Sequence, residues 1–225
     1  MQRKNLRSSQ RIQGINLPLR TLLDISPEQE ANNATTGNIY ASIYKAYSDQ
    51  TGKFPHPSSR GNQYIFVYYD YDSNAILVEA LTNCTAGALT KAWNTCFTKV
   101  KYNVYASHLH ILDNECSEDM KQAFQKNNVD FQLVPPHAHR RNAVERATQT
   151  FKSQFIAGLA TLPSDFPMKE WDRLLPHAQL TVNRLRASHR QPPLSAHAAA
   201  LGSYNFGAHP LAPPGTKVLV YETSE

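Results

Sequence analysis

Apolar and polar residues alternate in three short runs in the first part of the chain. Because successive side chains of a strand point to opposite faces, this alternation predicts β-strands over residues 43–48, 64–69 and 75–80. Residues 50–57 contain a glycine and two prolines that break the pattern, and residues 72–74 form a tight Asp-Ser-Asn turn. We therefore predict a meander of three antiparallel strands.

Helical and strand patterns alternate after this meander. Apolar residues recur every three or four positions over 85–101, as on the buried face of an amphipathic helix with Thr85 as its N-cap. Similar reasoning predicts a strand over 105–112, a helix over 118–126, a strand over 130–134 and a long helix over 141–159. The order βββαβαβα indicates an α/β fold of the RNase H-like type. Its five-stranded mixed sheet has three antiparallel strands, then two parallel ones, flanked by helices.

The remaining residues predict C-terminal helices and a short terminal strand. One helix covers 167–185 with a kink at Pro176, an alanine-rich helix covers 194–201, and the strand covers 217–221. We divide the chain into a basic, flexible N-terminal arm (1–38), a core domain (39–190) and a C-terminal extension (191–225).

The amino-acid composition indicates the kind of partner and the compartment that suit this protein. Lys and Arg outnumber Asp and Glu by 23 to 18, a net charge of +5 that favours a polyanionic partner. Three cysteines without a CxxC pair predict a reducing compartment, and no apolar run is long enough to cross a membrane. We expect an intracellular protein without membrane contact. Its arm is either a nucleic-acid-binding or a solvated segment, and the basic residues that precede its first acid are Arg3, Lys4, Arg7, Arg11 and Arg20.

Two aspartates close strands that should be parallel neighbours in this fold. Asp49 ends the first strand and Asp113 the fourth, so their carboxylates should meet at one edge of the sheet, on the order of 4 to 6 Å apart. Glu145 enters from a helix that crosses the same edge. Such a cluster of like charges is costly unless divalent cations occupy it, and carboxylate oxygens are ligands for hard cations that support phosphoryl transfer.

Asp70 competes with Asp49 for the role of first ligand. It ends strand two, which runs antiparallel to strand one, so we expect it at the opposite edge, about 20 Å away over six residues. We therefore interpret Asp70 as a turn residue. Glu115 lies in a loop, where it caps the following helix or is solvated.

Four segments together resemble the successive signatures of retroelement integrase cores. They are residues 49–52 (DQTG), 61–70 (GNQYIFVYYD), 112–114 (LDN) and 142–146 (NAVER). The resemblance spans about residues 40 to 221 and is nearer to the integrase region of LTR-retrotransposon polyproteins, of copia or gypsy type, than to the retroviral enzymes.

The resemblance implies a polynucleotidyl transferase that processes DNA 3′ ends and joins them to target DNA. The family's catalytic and metal-binding residues match Asp49, Asp113 and Glu145. The resemblance further implies two Mg²⁺ or Mn²⁺ ions as cofactors. It implies that the partners are the DNA ends of the element and target DNA. A homo-oligomer is expected, in the nucleus and in the cytoplasm within an element particle.

Residues near the Glu145 helix are predicted to bind DNA. His139, Arg140, Arg141 and Asn142 directly precede it, where their donors would surround the metal edge and contact phosphate oxygens. Gln149 and Lys152 follow on the face of Glu145, at positions that the family uses for contacts with element ends. The alternative for both groups is solvated helix surface.

Several features depart from the family or stay open. The interval from Asp113 to Glu145 is 32 positions, shorter than usual, and Glu115 stands where the family has glycine. The 225 residues contain no His-His-Cys-Cys module, and the pairs His108/His110 and His137/His139 lack cysteines at zinc spacing. We predict no zinc, and interpret the first pair as sheet-edge and the second as DNA-facing residues.

The two tryptophans are assigned from the apolar faces on which they lie. We expect Trp93 and Trp171 in the core, with a dimer interface as the alternative for Trp171.

The sequence is compatible with two alternative functions. A non-catalytic DNA-binding or assembly fragment is one of them. An RNase H-type nuclease is the other, since it shares the metal chemistry but not the Val-Glu-Arg signature.

Overall fold

The structure, a computed structural model, describes residues 44–102, 107–113, 116–134 and 143–216. For Asp113 it describes the backbone only. The predicted arm (1–38), the predicted DNA-binding residues 139–142 and the predicted terminal strand (217–221) lie outside the described residues. So do Glu115 and the pair His137/His139.

A five-stranded mixed sheet forms the centre of the fold, in the order β3-β2-β1-β4-β5. The first three strands pair antiparallel, whereas β4 is parallel to β1 and β5 is parallel to β4. This confirms the predicted RNase H-like sheet. The strands are β1 (Lys45–Gln50), β2 (Tyr64–Asp70), β3 (Ala75–Leu81), β4 (Leu109–Asp113) and β5 (Asp130–Val134).

The first strand begins and ends two residues later than the sequence pattern predicts. Tyr44 has φ 61°, a left-handed conformation that an extended strand does not contain, so β1 begins at Lys45. At its other end the ladder with β2 continues to the pair Gln50–Phe66. Asp49 therefore lies within the last residues of a paired strand rather than beyond its end.

Helices cover both faces of the sheet. The first face packs against α1 (Ala86–Val100), α2 (Glu118–Lys126) and α5 (Ala196–Leu201), with Phe66 and Tyr68 among its buried residues. The second packs against α3 (Ala143–Ala160), a 3₁₀ helix (Met168–Leu174) and α4 (Leu175–Leu185). None of the helices in the described residues is long and apolar enough to cross a membrane.

Both tryptophans belong to this core, as predicted. Trp93 is fully buried, stacks on Phe97 at 4.8 Å and meets Phe124 edge-on at 4.8 Å. Trp171 is 2% exposed, and its indole N–H donates to the His56 carbonyl at 3.1 Å. A residue so enclosed contributes packing energy to the monomer, so the structure favours the core over the dimer interface for Trp171.

The helix predicted over 167–185 is two elements, and the expected kink at Pro176 is wrong. A 3₁₀ helix ends at Leu174, and α4 then begins with Pro176 in its first turn. Proline is tolerated there because the N–H groups of the first turn have no intrahelical acceptor. Pro176 therefore starts a helix instead of bending one.

Side chains of α4 close the outer edge of β3. The amide of Asn183 accepts from the Ile76 N–H at 2.8 Å and donates to the Ile76 carbonyl at 2.7 Å. One helical turn earlier, Gln179 accepts from the Val78 N–H at 2.8 Å. These two amides take the place of a neighbouring strand, so this part of the edge is hydrogen-bonded without a sixth strand.

Candidate active site

Asp49 and Asp113 lie at the same end of neighbouring parallel strands. The ladder pairs Lys45 with Leu109 and Tyr47 with Ile111. Continued by two residues, this register sets the backbone of Asp49 level with that of Asp113. Adjacent strands lie about 4.8 Å apart, so the two Cα positions are neighbours across the sheet. The separation of the carboxylates stays a prediction, since the Asp113 side chain is outside the described part.

The residues after Asp49 fix its position on the strand. Asp49 Oδ1 accepts from the Gln50 N–H at 2.8 Å. Thr51 is buried, donates its N–H to the Ile65 carbonyl at 2.9 Å and accepts from the Ile65 N–H at 3.0 Å through its hydroxyl. The Thr of the DQTG segment thus ties the strand end to β2, which restricts where the Asp49 carboxylate lies.

Helix α3 packs on the side of the sheet toward which Asp49 points. Its buried residues Val144, Ala147 and Phe151 pack in the same layer as Tyr47. Asp49 follows Tyr47 by two residues and therefore points to the side of the sheet that α3 covers. Of the predicted residues on α3, Glu145 and Gln149 are exposed and Lys152 is half-buried, at the spacing of one helical face.

Asp70 is a structural residue at the other end of β1. It pairs with Ala46, three residues from Asp49, which is roughly 10 Å along the strand and half of the expected distance. Its buried carboxylate accepts from the Ser107 hydroxyl at 2.7 Å and from both the N–H and the hydroxyl of Ser73. Burial raises the pKa of this carboxyl, and those hydrogen bonds oppose the rise. The turn assignment is therefore supported.

His110 is a core residue, and its interpretation as a sheet-edge residue is wrong. It is fully buried on β4, between β1 and β5. An indole N–H can only donate, so the contact from Trp93 Nε1 to His110 Nδ1 at 3.3 Å makes Nδ1 the acceptor. His110 Nε2–H then donates to the Ser48 hydroxyl at 2.8 Å. This link joins β1 and β4 one residue before Asp49.

A cleft of about 470 Å³ opens at the same end of the sheet. Its lining includes Ser48, Asp49 and Gln50 of β1 and Leu112 of β4, with Cys84 and Ser117 near the first turns of α1 and α2. The candidate site is thus bordered by open space on the α1 and α2 side and by α3 on the other. An extended substrate has room to approach it.

The metal-binding group predicted from the sequence is not assembled among the described side chains. In that part of the chain, no group of three or more His, Cys, Asp or Glu could hold a metal ion. Asp113, the second predicted ligand, contributes only its backbone to the description. The donors that are described, Asp49 and Glu145, are carboxylates, the chemistry that a hard divalent cation needs.

Comparison with known proteins identifies the fold and nothing finer. Neither a family model nor a curated protein sequence matches the chain. Among solved structures, a simian T-cell lymphotropic virus intasome in complex with PP2A regulatory subunit B56 gamma aligns with a TM-score of 0.56 and 16% identity. That alignment covers 80% of this chain and 60% of the viral one, so the chain spans less than two thirds of that protein's length.

Isolated integrase core domains align over nearly their full length. The HTLV-2 integrase catalytic core domain in complex with magnesium, in trimeric form, has a TM-score of 0.53 at 15% identity, over 72% of this chain and 99% of that one. The BIV integrase catalytic core domain has a TM-score of 0.51 at 13% identity, over 70% and 93%. The described chain has the fold of retroviral integrase catalytic cores.

Proposed function

We propose that this chain is the catalytic core of a retroelement integrase, of the LTR-retrotransposon copia or gypsy type. One observation supports the proposal: the register of β1 and β4 brings the backbone of Asp49 level with that of Asp113, and α3, which bears Glu145, covers the side of the sheet toward which Asp49 points. The three residue types and their order match the integrase signatures in the sequence. The fold, shared with retroviral integrase cores, supports the same conclusion.

The carboxylates fit a divalent cation as cofactor. Asp49, Asp113 and Glu145 would hold Mg²⁺ or Mn²⁺, two ions in all, through their carboxylate oxygens. When bound, the ions supply Lewis-acid stabilisation of charge on phosphoryl oxygens and activate water or hydroxyl groups near neutral pH. The chain's own contribution is a rigid strand end, fixed by Thr51 and by the Ser48–His110 link.

The proposed reaction is the cleavage and joining of DNA ends. Water first cleaves a phosphodiester near the end of the element and leaves a 3′-hydroxyl. The oxygen of this hydroxyl then forms a bond to a phosphorus atom of target DNA while the P–O bond in line with it breaks. Gln149 and Lys152, on the α3 face of Glu145, would contact the phosphates of the element end, and His139, Arg140, Arg141 and Asn142 would contact those near the scissile bond.

The cellular setting is part of the same proposal. An integrase joins DNA as an oligomer, so we expect a homo-oligomer bound to element ends and target DNA. We expect it in the nucleus, and in the cytoplasm within an element particle.

The first prediction is that Asp49→Asn or Asp113→Asn reduces strand transfer by at least about a thousandfold. The neutral amide would remove a cation ligand from the reaction centre and leave packing unchanged. The measurement is joining of a labelled DNA duplex to a plasmid with Mg²⁺ or Mn²⁺, alongside thermal unfolding of each variant. Asp130→Asn is the matched control, because Asp130 is an exposed aspartate at the start of β5.

The outcomes separate the candidate functions. Equal strand-transfer activity of Asp113→Asn and the unaltered chain would contradict the proposal. DNA binding without joining by the unaltered chain would instead favour a non-catalytic DNA-binding module. Cleavage of RNA–DNA hybrids without joining would favour an RNase H-type nuclease.

A further inference from the structure

A second cleft, of about 330 Å³, lies near the first turns of α3 and the turn between β2 and β3. Three separate parts of the chain form it: the β2 end and its turn, α3, and the segment that follows α4. The polar and charged side chains that line the cleft include Tyr71, Asn74, Arg146, Thr150, Arg186 and His189. None of them belongs to the residues assigned above to catalysis or DNA binding.

The cleft is basic. Arg146 and Arg186 line it together with His189, and the described residues of its lining include no carboxylate. Within the described residues, neither arginine forms an ion pair with an aspartate or glutamate. The nearby buried Asp72 instead accepts from the Tyr44 N–H and lies 4.0 Å from Arg190. Two unneutralised guanidinium groups facing one space favour an anion with several oxygens.

Arg186 is held in place before any ligand binds. Its Nε donates to the Asn74 carbonyl at 3.0 Å, and its Nη2 donates to the Asn74 side-chain oxygen. The Tyr69 hydroxyl donates to that same oxygen at 2.9 Å. His189 Nδ1–H donates to the Tyr71 carbonyl at 2.8 Å, which holds the imidazole ring against the turn between β2 and β3. Fixed donors lose little conformational entropy on binding.

We propose that this cleft binds a backbone phosphate of the DNA on which the active site acts. This rests on the proposed function, because it takes DNA as the substrate. Arg146 follows Glu145 directly on α3, so the cleft adjoins the helical turn that bears the proposed third ligand. The Tyr71 N–H donates to the Lys45 carbonyl at 2.9 Å, and Lys45 precedes Asp49 by four strand residues, roughly 13 Å. A span of this length along a DNA strand covers only a few phosphates, so the bound phosphate would lie within a few nucleotides of the reacting one.

The test compares Arg146→Gln with Arg173→Gln in the full chain. Arg173 is 63% exposed at its side chain and forms a surface pair with Glu170, so it controls for the loss of one positive charge. Affinity for a labelled DNA duplex is measured by fluorescence anisotropy over a range of salt concentrations. We expect Arg146→Gln to weaken binding roughly fivefold to tenfold and to reduce the slope of log K against log salt by about 0.9, whereas Arg173→Gln changes neither. Arg146→Lys should restore the slope, since it restores the charge.

A second measurement locates the phosphate. Duplexes carrying one neutral methylphosphonate at a time should reveal one position within a few nucleotides of the joined phosphate. A methylphosphonate there should weaken binding by the unaltered chain but not by Arg146→Gln. Equal effects of Arg146→Gln and Arg173→Gln, or methylphosphonate profiles that do not differ, would overturn the inference. Competition by inorganic phosphate without any such position would identify a small-anion site and also overturn it. A loss of joining with intact, Arg146-dependent DNA binding would count against the proposed reaction alone.

Discussion

His110 shows how one buried residue sets a dependence on pH. Burial lowers the pKa of its imidazole to about 3, because the charged form would lose its hydration. Trp93 donates to one ring nitrogen and Ser48 accepts from the other. The folded state therefore contains the neutral ring, in one tautomer, throughout the physiological pH range.

This gives a prediction for stability in mild acid. Below the unfolded pKa of about 6.5 the unfolded chain binds a proton at His110, and the folded chain does not until the pH falls to about 3. Stability is therefore full above pH 6.5 and decreases as the pH falls through this window. Between pH 7 and pH 5 the loss from His110 is about 2 kcal/mol.

Urea unfolding at the two pH values measures this loss. His110→Gln should lower stability at pH 7 and remove most of the difference between pH 7 and pH 5. His209→Gln, at an exposed position, should retain the difference. An unchanged pH dependence in His110→Gln would show that other groups cause it.

The sequence predicts the position of a residue well where that position follows from strand direction. Asp49 and Asp113 lie at the same end of two parallel strands, as predicted, and Asp70 lies at a turn because its strand runs in the opposite direction. The catalytic roles of Asp49 and Asp113 stay predictions. His110 could not be recognised in the same way. Its partners Ser48 and Trp93 are 62 and 17 residues away, and nothing local in the sequence indicates that they meet.

At the scale of elements, the link between α4 and the edge of β3 is the least expected feature. A side-chain amide has one donor group and one acceptor, as a peptide unit has, so Asn183 can satisfy both backbone groups of Ile76. The helical pattern of 167–185 predicts a helix, but it does not reveal that two of its polar residues complete a sheet. The two-element form of this segment was missed because the periodicities of a 3₁₀ and an α-helix are similar over one or two turns.

Asn183→Ala should therefore destabilise the protein by about 2–4 kcal/mol. The substitution leaves the buried N–H and carbonyl of Ile76 without partners, and each such group costs about 1–3 kcal/mol. Chemical denaturation gives the free energy, and hydrogen exchange at the Ile76 amide should become faster. Leu185→Ala on the same helix, 74% exposed, is the control and should cost less than about 0.5 kcal/mol. A loss for Asn183→Ala no larger than that of the control would refute the edge-closing role.

For the whole molecule, the two ends of β1 have separate tasks. One end bears Asp49, and the other bears the Asp70–Ser73–Ser107 cluster that fixes the β2–β3 turn. The sequence predicted this separation and the strand order, because both follow from chain direction. The basic cleft was not foreseen, since it combines residues 71, 146, 186 and 189, which only the tertiary fold brings together.

This separation predicts opposite effects for two similar substitutions. Asp70→Asn should lower the free energy of unfolding by about 1–3 kcal/mol, because the amide nitrogen cannot accept the hydrogen bonds that the carboxylate receives. It should change the rate of DNA joining per folded molecule less than about twofold. Asp49→Asn should leave the unfolding free energy unchanged and abolish joining. Both variants are measured in both assays, and a loss of joining in a fully folded Asp70→Asn protein would contradict the assignment.

The closure of β3 by Asn183 also affects the order of events during synthesis. Asn183 leaves the ribosome 107 residues after Ile76, the residue it must bind. At about 5–20 residues per second, the nascent chain carries an open strand edge for roughly 5 to 20 s before its cover exists. During that time the edge can pair with other extended segments, including those of neighbouring nascent chains on the same message. A chaperone that shields β3 in this interval would improve the yield of folded protein.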